Sequence, residues 1–185
     1  MGASVTDQGY TLTLEGIGVD EAFITLYATI TGEEPIPNWG GEEETGPAVW
    51  PLNLRAEGRE LEAWGAQTEW ERLDSHAIKL TQRCPVMTVL PAVVELEVYT
   101  DQLVPRVRGN WSLDLLVDKT APDGESLVAE PNQTFTVDGQ RITVEKVAVA
   151  PSGGGLVLST KSDRPFTHFI LRDDQGTVLP HSYYG

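Results

Sequence analysis

Three clusters and one isolated thiol have residue types and spacing that could do chemistry. Asp74-Ser75-His76 sets a carboxylate, a hydroxyl and an imidazole side by side, the groups of a nucleophilic triad. Consecutive side chains on an extended chain point to opposite sides, so these three do not converge by themselves, and the other imidazoles are only His168 and His181. Glu95 and Glu97 share one strand face, as an acid/base pair would, but Leu96 and Val98 opposite them mark that face as the solvated one. Glu42, Glu43 and Glu44 could give oxygens to a cation, and Trp39 and Trp50 beside them could stack on a sugar or anchor a partner. Cys84 adjoins Pro85 and an apolar run, which suits a small buried residue better than a reactive thiol. There is no Gly-x-Ser-x-Gly elbow, no His-Glu-x-x-His and no phosphate-binding glycine loop. We expect no catalytic residues, no metal and no cofactor. The expected binding residues are Trp39, Glu42, Glu43 and Glu44, on a long acidic loop, and Trp50 after it.

The elements that must position these residues are strands. The dominant period is two: Tyr10 to Ile17 alternates, and from Phe23 to Ile30 one face carries Phe23, Thr25, Tyr27 and Thr29 while the other carries Ile24, Leu26, Ala28 and Ile30. Further strands are expected at 50–55, 60–64, 77–81, 86–90, 94–100, 111–118, 133–137, 140–150, 156–160, 167–172 and 177–179. Turn signals separate them: Asp7-Gln8-Gly9, Ala56-Glu57-Gly58, Val137-Asp138-Gly139, residues 151–155 and 173–176. Only Gln67 to His76 could be a short helix. Trp64, Trp70 and Trp111 are expected in the core.

An internal repeat runs through the chain. Residues 5–20 align without gaps with residues 135–150, pairing Thr6 with Thr136, Gly9 with Gly139, Thr13 with Thr143, Glu15 with Glu145 and Val19 with Val149. The expected fold is therefore all-β, two tandem β-sandwich domains: an acidic one at 1–118, a linker at 119–124, and a shorter one at 125–185.

Charge narrows the partners. Twenty-eight acidic residues stand against 13 Lys and Arg, a net charge of −15. Residues 1–118 hold 20 acidic and 7 basic residues, and residues 119–185 hold 8 and 6. Phosphate backbones need a basic face, so no nucleic-acid partner is expected, and an anionic membrane surface is disfavoured. With one cysteine, no disulfide can form within the chain. Met1-Gly2-Ala3-Ser4 lacks the charged and apolar regions of a signal peptide, and we expect a soluble piece of a longer exported protein.

Ser4-Val5-Thr6-Asp7-Gln8-Gly9 with its two following strands resembles a bacterial family of unknown function, common in Firmicutes, in membrane proteins that look like anti-sigma factors. Gly109 to Asp118 resembles that domain's closing strand. Phe135 to Val147, with Pro151-Ser152-Gly153, resembles the immunoglobulin-like domain that often follows. The resemblance implies a non-catalytic extracytoplasmic module of a membrane-anchored regulator at the cell surface, attached through an anchor absent here. It implies an envelope protein or glycan as partner and a monomer or weak oligomer. The alternative is a surface adhesion or carbohydrate-binding module using Trp39 and the acidic loop.

Overall fold

The computed structural model describes residues 2–38, 47–61, 66–119, 126–161, 170–172 and 174–178. They form thirteen strands and no helix. Alternation of apolar and polar residues builds β1 (Ala3–Asp7), β2 (Tyr10–Val19) and β3 (Phe23–Gly32), which pair antiparallel in that order. The chain then crosses over. β4 (Asn53–Ala56) and β5 (Arg59–Leu61) join a second sheet, β6 (Gln67–Arg72) and β7 (Ala77–Pro85) return to the first, and β8 (Val93–Thr100) and β9 (Trp111–Asp118) complete the second. The orders are β1-β2-β3-β7-β6 and β5-β4-β8-β9.

The inward faces of these two sheets make one apolar core, with Leu12, Ile24, Leu26, Ile30, Ile78, Leu80, Val94, Leu96, Val98 and Trp111 all buried. The arrangement is sandwich-like. Two polar side chains bind its halves together. The Trp111 indole donates to the Tyr10 carbonyl at 2.9 Å. The buried Gln82 amide accepts from the Leu52 backbone N–H and donates to the Leu52 carbonyl, both at 2.7 Å, as a neighbouring strand would.

A third sheet follows. β12 (Gln140–Ala150) pairs on one side with β10 (Leu127–Ala129) and β11 (Gln133–Val137), and on the other with β13 (Gly153–Thr160). The sequence repeat is a repeat of backbone geometry. Gln8-Gly9 and Asp138-Gly139 have positive φ at both residues (51° and 75°, 48° and 78°), which makes each a two-residue hairpin turn of the type whose twist matches the strands. A bulge then falls at equivalent positions, Glu15 against β3 and Glu145 against β13. It adds one residue and shifts the phase. Leu12 and Leu14 before it, and Ile17 and Val19 after it, therefore stay on one face.

Three expectations on local structure are corrected. Gln67–His76 is not a helix: it is the edge strand β6 and the turn into β7, with Gln67, Glu69 and Glu71 paired against Arg83, Thr81 and Lys79. Trp70 is not core. It lies on the edge strand and stays 41% exposed. Residues 86–90 form no strand, and Val86 and Leu90 are buried from irregular backbone. Trp111 is fully buried as expected; of the strand expected at 60–64, Glu60 and Leu61 lie in β5, while residues 62–64, Trp64 included, lie outside the described residues.

Candidate functional site

The residues singled out in the sequence do not assemble into an active centre. Asp74, Ser75 and His76 sit on the exposed β6–β7 turn. Ser75 Oγ meets His76 Nδ1 at 2.8 Å, but the Asp74 carboxylate accepts from the backbone N–H of His76 rather than from its ring. A triad needs the carboxylate behind the imidazole. Glu97 is occupied by Arg55 and by Ser112 Oγ, and Glu95 is exposed on the same outer face. Beside them, hydrogen bonds from Tyr99 and Arg55 hold the Glu60 carboxyl below its ordinary value. Cys84 is 3% exposed, and burial pushes its thiol up against the opposing effect of a hydrogen bond from Gln82. Trp39, Glu42, Glu43, Glu44, His168 and His181 lie outside the described residues. The base of the acidic loop is described: Asn38 bridges to Pro47, and Arg72 donates to Asn38 Oδ1 at 2.7 Å. Trp50 is 43% exposed, its backbone N–H tied to Leu103.

The sequence pattern gave no reason to choose the surface that stands out, the outer face of the five-stranded sheet. Its register places Gly16 opposite Tyr27 and Tyr27 opposite Thr81, which in turn faces Glu69. One row away lie Gly18, Thr25, Arg83 and Gln67, and on the other side Thr13, Thr29, Lys79 and Glu71. Two shallow depressions open here. One, of about 310 Å³, lies by Glu15, Gly16, Tyr27, Lys79 and Thr81. The other, of about 320 Å³, lies by Thr25, Tyr27, Gln67, Glu69, Thr81, Arg83 and Ser152. They adjoin at Tyr27 and Thr81, together a shallow groove, and Ser152 of the β12–β13 turn lines its far end.

The junction that brings Ser152 there is polar. The Asp20 carboxylate accepts from Ala22 and Phe23 with one oxygen, making the β2–β3 turn, and from the Ser152 N–H with the other. Lys146 points from β12 into the end of the sandwich. It is 3% exposed, and its ammonium donates to the carbonyls of Glu21, Val86 and Thr88 at 2.8, 2.9 and 3.3 Å. Burial lowers its pKa, opposed by the charge of Glu21. Lys119 donates to the Glu21 carboxylate and to the Leu90 carbonyl. The guanidinium of Arg83 stacks 4.0 Å over the Phe23 ring.

For Asp20, burial alone would raise the carboxyl, and the hydrogen bonds from Ser152, Phe23 and Ala22 outweigh it, leaving its pKa lowered. A depressed acid stabilises the fold above its unfolded pKa and loses that contribution as pH falls through the folded value. The stability gap between wild type and Asp20→Asn, present at pH 7, is therefore expected to close as the pH drops below 3.8. Urea unfolding at several pH values reads it, and a gap that stays constant into that range would rule the carboxylate out.

Chemically the groove is suited to binding. It offers hydroxyl, amide and charged side chains around one aromatic ring. Among the described residues no three His, Cys, Asp or Glu side chains gather as a metal site requires, and no helix is long and apolar enough to cross a membrane. No family model matches the chain, and no curated protein matches it. A solved structure described as the conserved domain protein from Bacillus anthracis is similar to 82% of the chain at 12% identity and a TM-score of 0.48. The match covers 50% of that protein's length, and it carries neither a family nor a function to this chain.

Proposed function

We propose that the chain is a non-catalytic binding module that works outside the cytoplasmic membrane, as part of a membrane-anchored, anti-sigma-factor-like regulator, and holds an envelope component in the groove around Tyr27. The observation that carries the binding role is the groove itself, a shallow trough of mixed polar and apolar lining around a half-exposed aromatic ring. The groups that could have done chemistry are engaged otherwise: Asp74 on backbone, Glu97 on Arg55 and Ser112, Cys84 under the surface. The extracytoplasmic setting rests on the sequence resemblance. Two tandem immunoglobulin-like units are supported by the hairpin and bulge repeated at Glu15 and Glu145.

The location is tested with one thiol. Leu116 is 70% exposed on the outer face of β9, whereas the native Cys84 is buried. In the full-length protein in its own cells, Leu116→Cys is expected to react with a membrane-impermeant maleimide before lysis, and the parent is not. Labelling that appears only after lysis would overturn the extracytoplasmic reading.

A further inference from the structure

We propose that the Tyr27 groove takes a neutral saccharide. This rests on the binding-module reading and adds the ligand class. The first argument is two glycines. Gly16 and Gly18 stand inside β2 on the outer face, where glycine weakens a strand. The fold does not demand them. A Cβ on Gly18 would meet nothing within 4 Å, and one on Gly16 would make ordinary contact with the Tyr27 ring at 3.5 Å. Neither has positive φ. Gly16 leaves the strand low beside the ring, where a larger side chain would stand in the first depression, and glycine in a strand often marks the close approach of a ligand.

The second argument is the lining. A pyranose presents an apolar C–H face and a rim of hydroxyls. Tyr27, 49% exposed, presents an aromatic face with a polar tip, and Thr25, Thr81 and Gln67 supply groups that both donate and accept.

The third argument is charge. On this face Glu15, Glu69 and Glu71 offset Lys79 and Arg83, on a chain of net charge −15. No positive field gathers a polyanion, so an acidic polysaccharide is repelled and a neutral one is not.

The test is titration of the intact chain with chito-, cello- and manno-oligosaccharides, read by calorimetry, with an anionic polysaccharide in parallel. One neutral series is expected to bind. Tyr27→Ala should weaken it by about tenfold or more, and Tyr27→Phe by a few-fold at most. Gly16→Thr should weaken binding while keeping or raising Tm, because threonine suits a strand and takes up space in the first depression. If Gly16→Thr does not fold, Tyr27→Ala decides. No binding by any neutral series, binding of the anionic polymer alone, or binding indifferent to Tyr27 would each overturn the proposal. An outside location by thiol labelling, with no saccharide bound, would leave the module reading standing and remove this one.

Discussion

Replacing Trp111 with alanine is expected to cost about 4 kcal/mol, a large share of the roughly 5–15 kcal/mol that holds a domain together. Among the described residues Trp111 is the largest fully buried side chain, and it sits where the two sheets of the sandwich meet. Its indole N–H reaches across to the Tyr10 carbonyl. Gly109 is shaped to it: a Cβ there would fall 2.6 Å from the ring and 2.7 Å from the Asp7 carboxylate, which itself accepts from the Asn110 N–H. Trp111→Phe separates the two contributions. It keeps most of the apolar burial but leaves the Tyr10 carbonyl without its donor, for about 1–2 kcal/mol. Urea midpoints at constant slope read both. If Trp111→Ala costs less than Trp111→Phe, or under about 1 kcal/mol, the sheets are not pinned at this point.

Much of this sandwich was legible because its signals are local. Phe23 to Ile30 alternates, and the structure buries Ile24, Leu26, Ala28 and Ile30 as the pattern requires. Asp7-Gln8-Gly9 and Val137-Asp138-Gly139 read as turns and are turns. The bulges were not read: Tyr10 to Ile17 passed as plain alternation, and the three-residue steps from Leu14 to Ile17 and from Val144 to Val147 do not by themselves say whether a strand bulges or ends. The pairing of β3 with β7 and of β4 with β8 was not legible, because it depends on contacts between distant segments. Gln67–His76 misled because an edge strand buries little. Thr68 and Trp70 face inward there without the apolar run that a central strand shows.

The candidate site was harder to read for a physical reason. Sequence reasoning looks for reactive groups, and Asp74, Ser75, His76, Glu95 and Glu97 drew attention because their chemistry is conspicuous. The groove is lined by threonines, a glutamine, one tyrosine, one glycine and charged residues such as Glu15, Lys79, Glu69 and Arg83, each unremarked in a strand. Its only local trace is a pair of glycines two apart in an otherwise good strand, Gly16 and Gly18. That trace becomes a site only when the register sets Tyr27 beside them.

Lys146→Met is expected to loosen the junction that completes the groove, at a cost of about 3 kcal/mol. Methionine retains the apolar stem and removes the donor, so the carbonyls of Glu21, Val86 and Thr88 are left buried and unpaired, at about 1 kcal/mol each. Little else compensates. The apolar contact across the junction is Ala22, Ala148 and Ala150 with part of Phe23, too small to hold a sheet by burial alone. The ammonium's own desolvation, visible in its lowered pKa, is already subtracted in the folded protein, which is why the loss stops well short of the gross strength of three charged hydrogen bonds. The effect should be local. Hydrogen exchange is expected to quicken in β12, in β13 and in the Asp20–Phe23 turn, while the amides of β3 and β7 around Ile24, Leu26 and Leu80 keep their protection. Because Ser152 lines the far end of the groove, the same variant should weaken any ligand held there without altering Tyr27. Unchanged exchange in β12 would mean that Asp20 and the alanines suffice to dock the sheet, and that Lys146 is a buried charge the junction tolerates rather than one it uses.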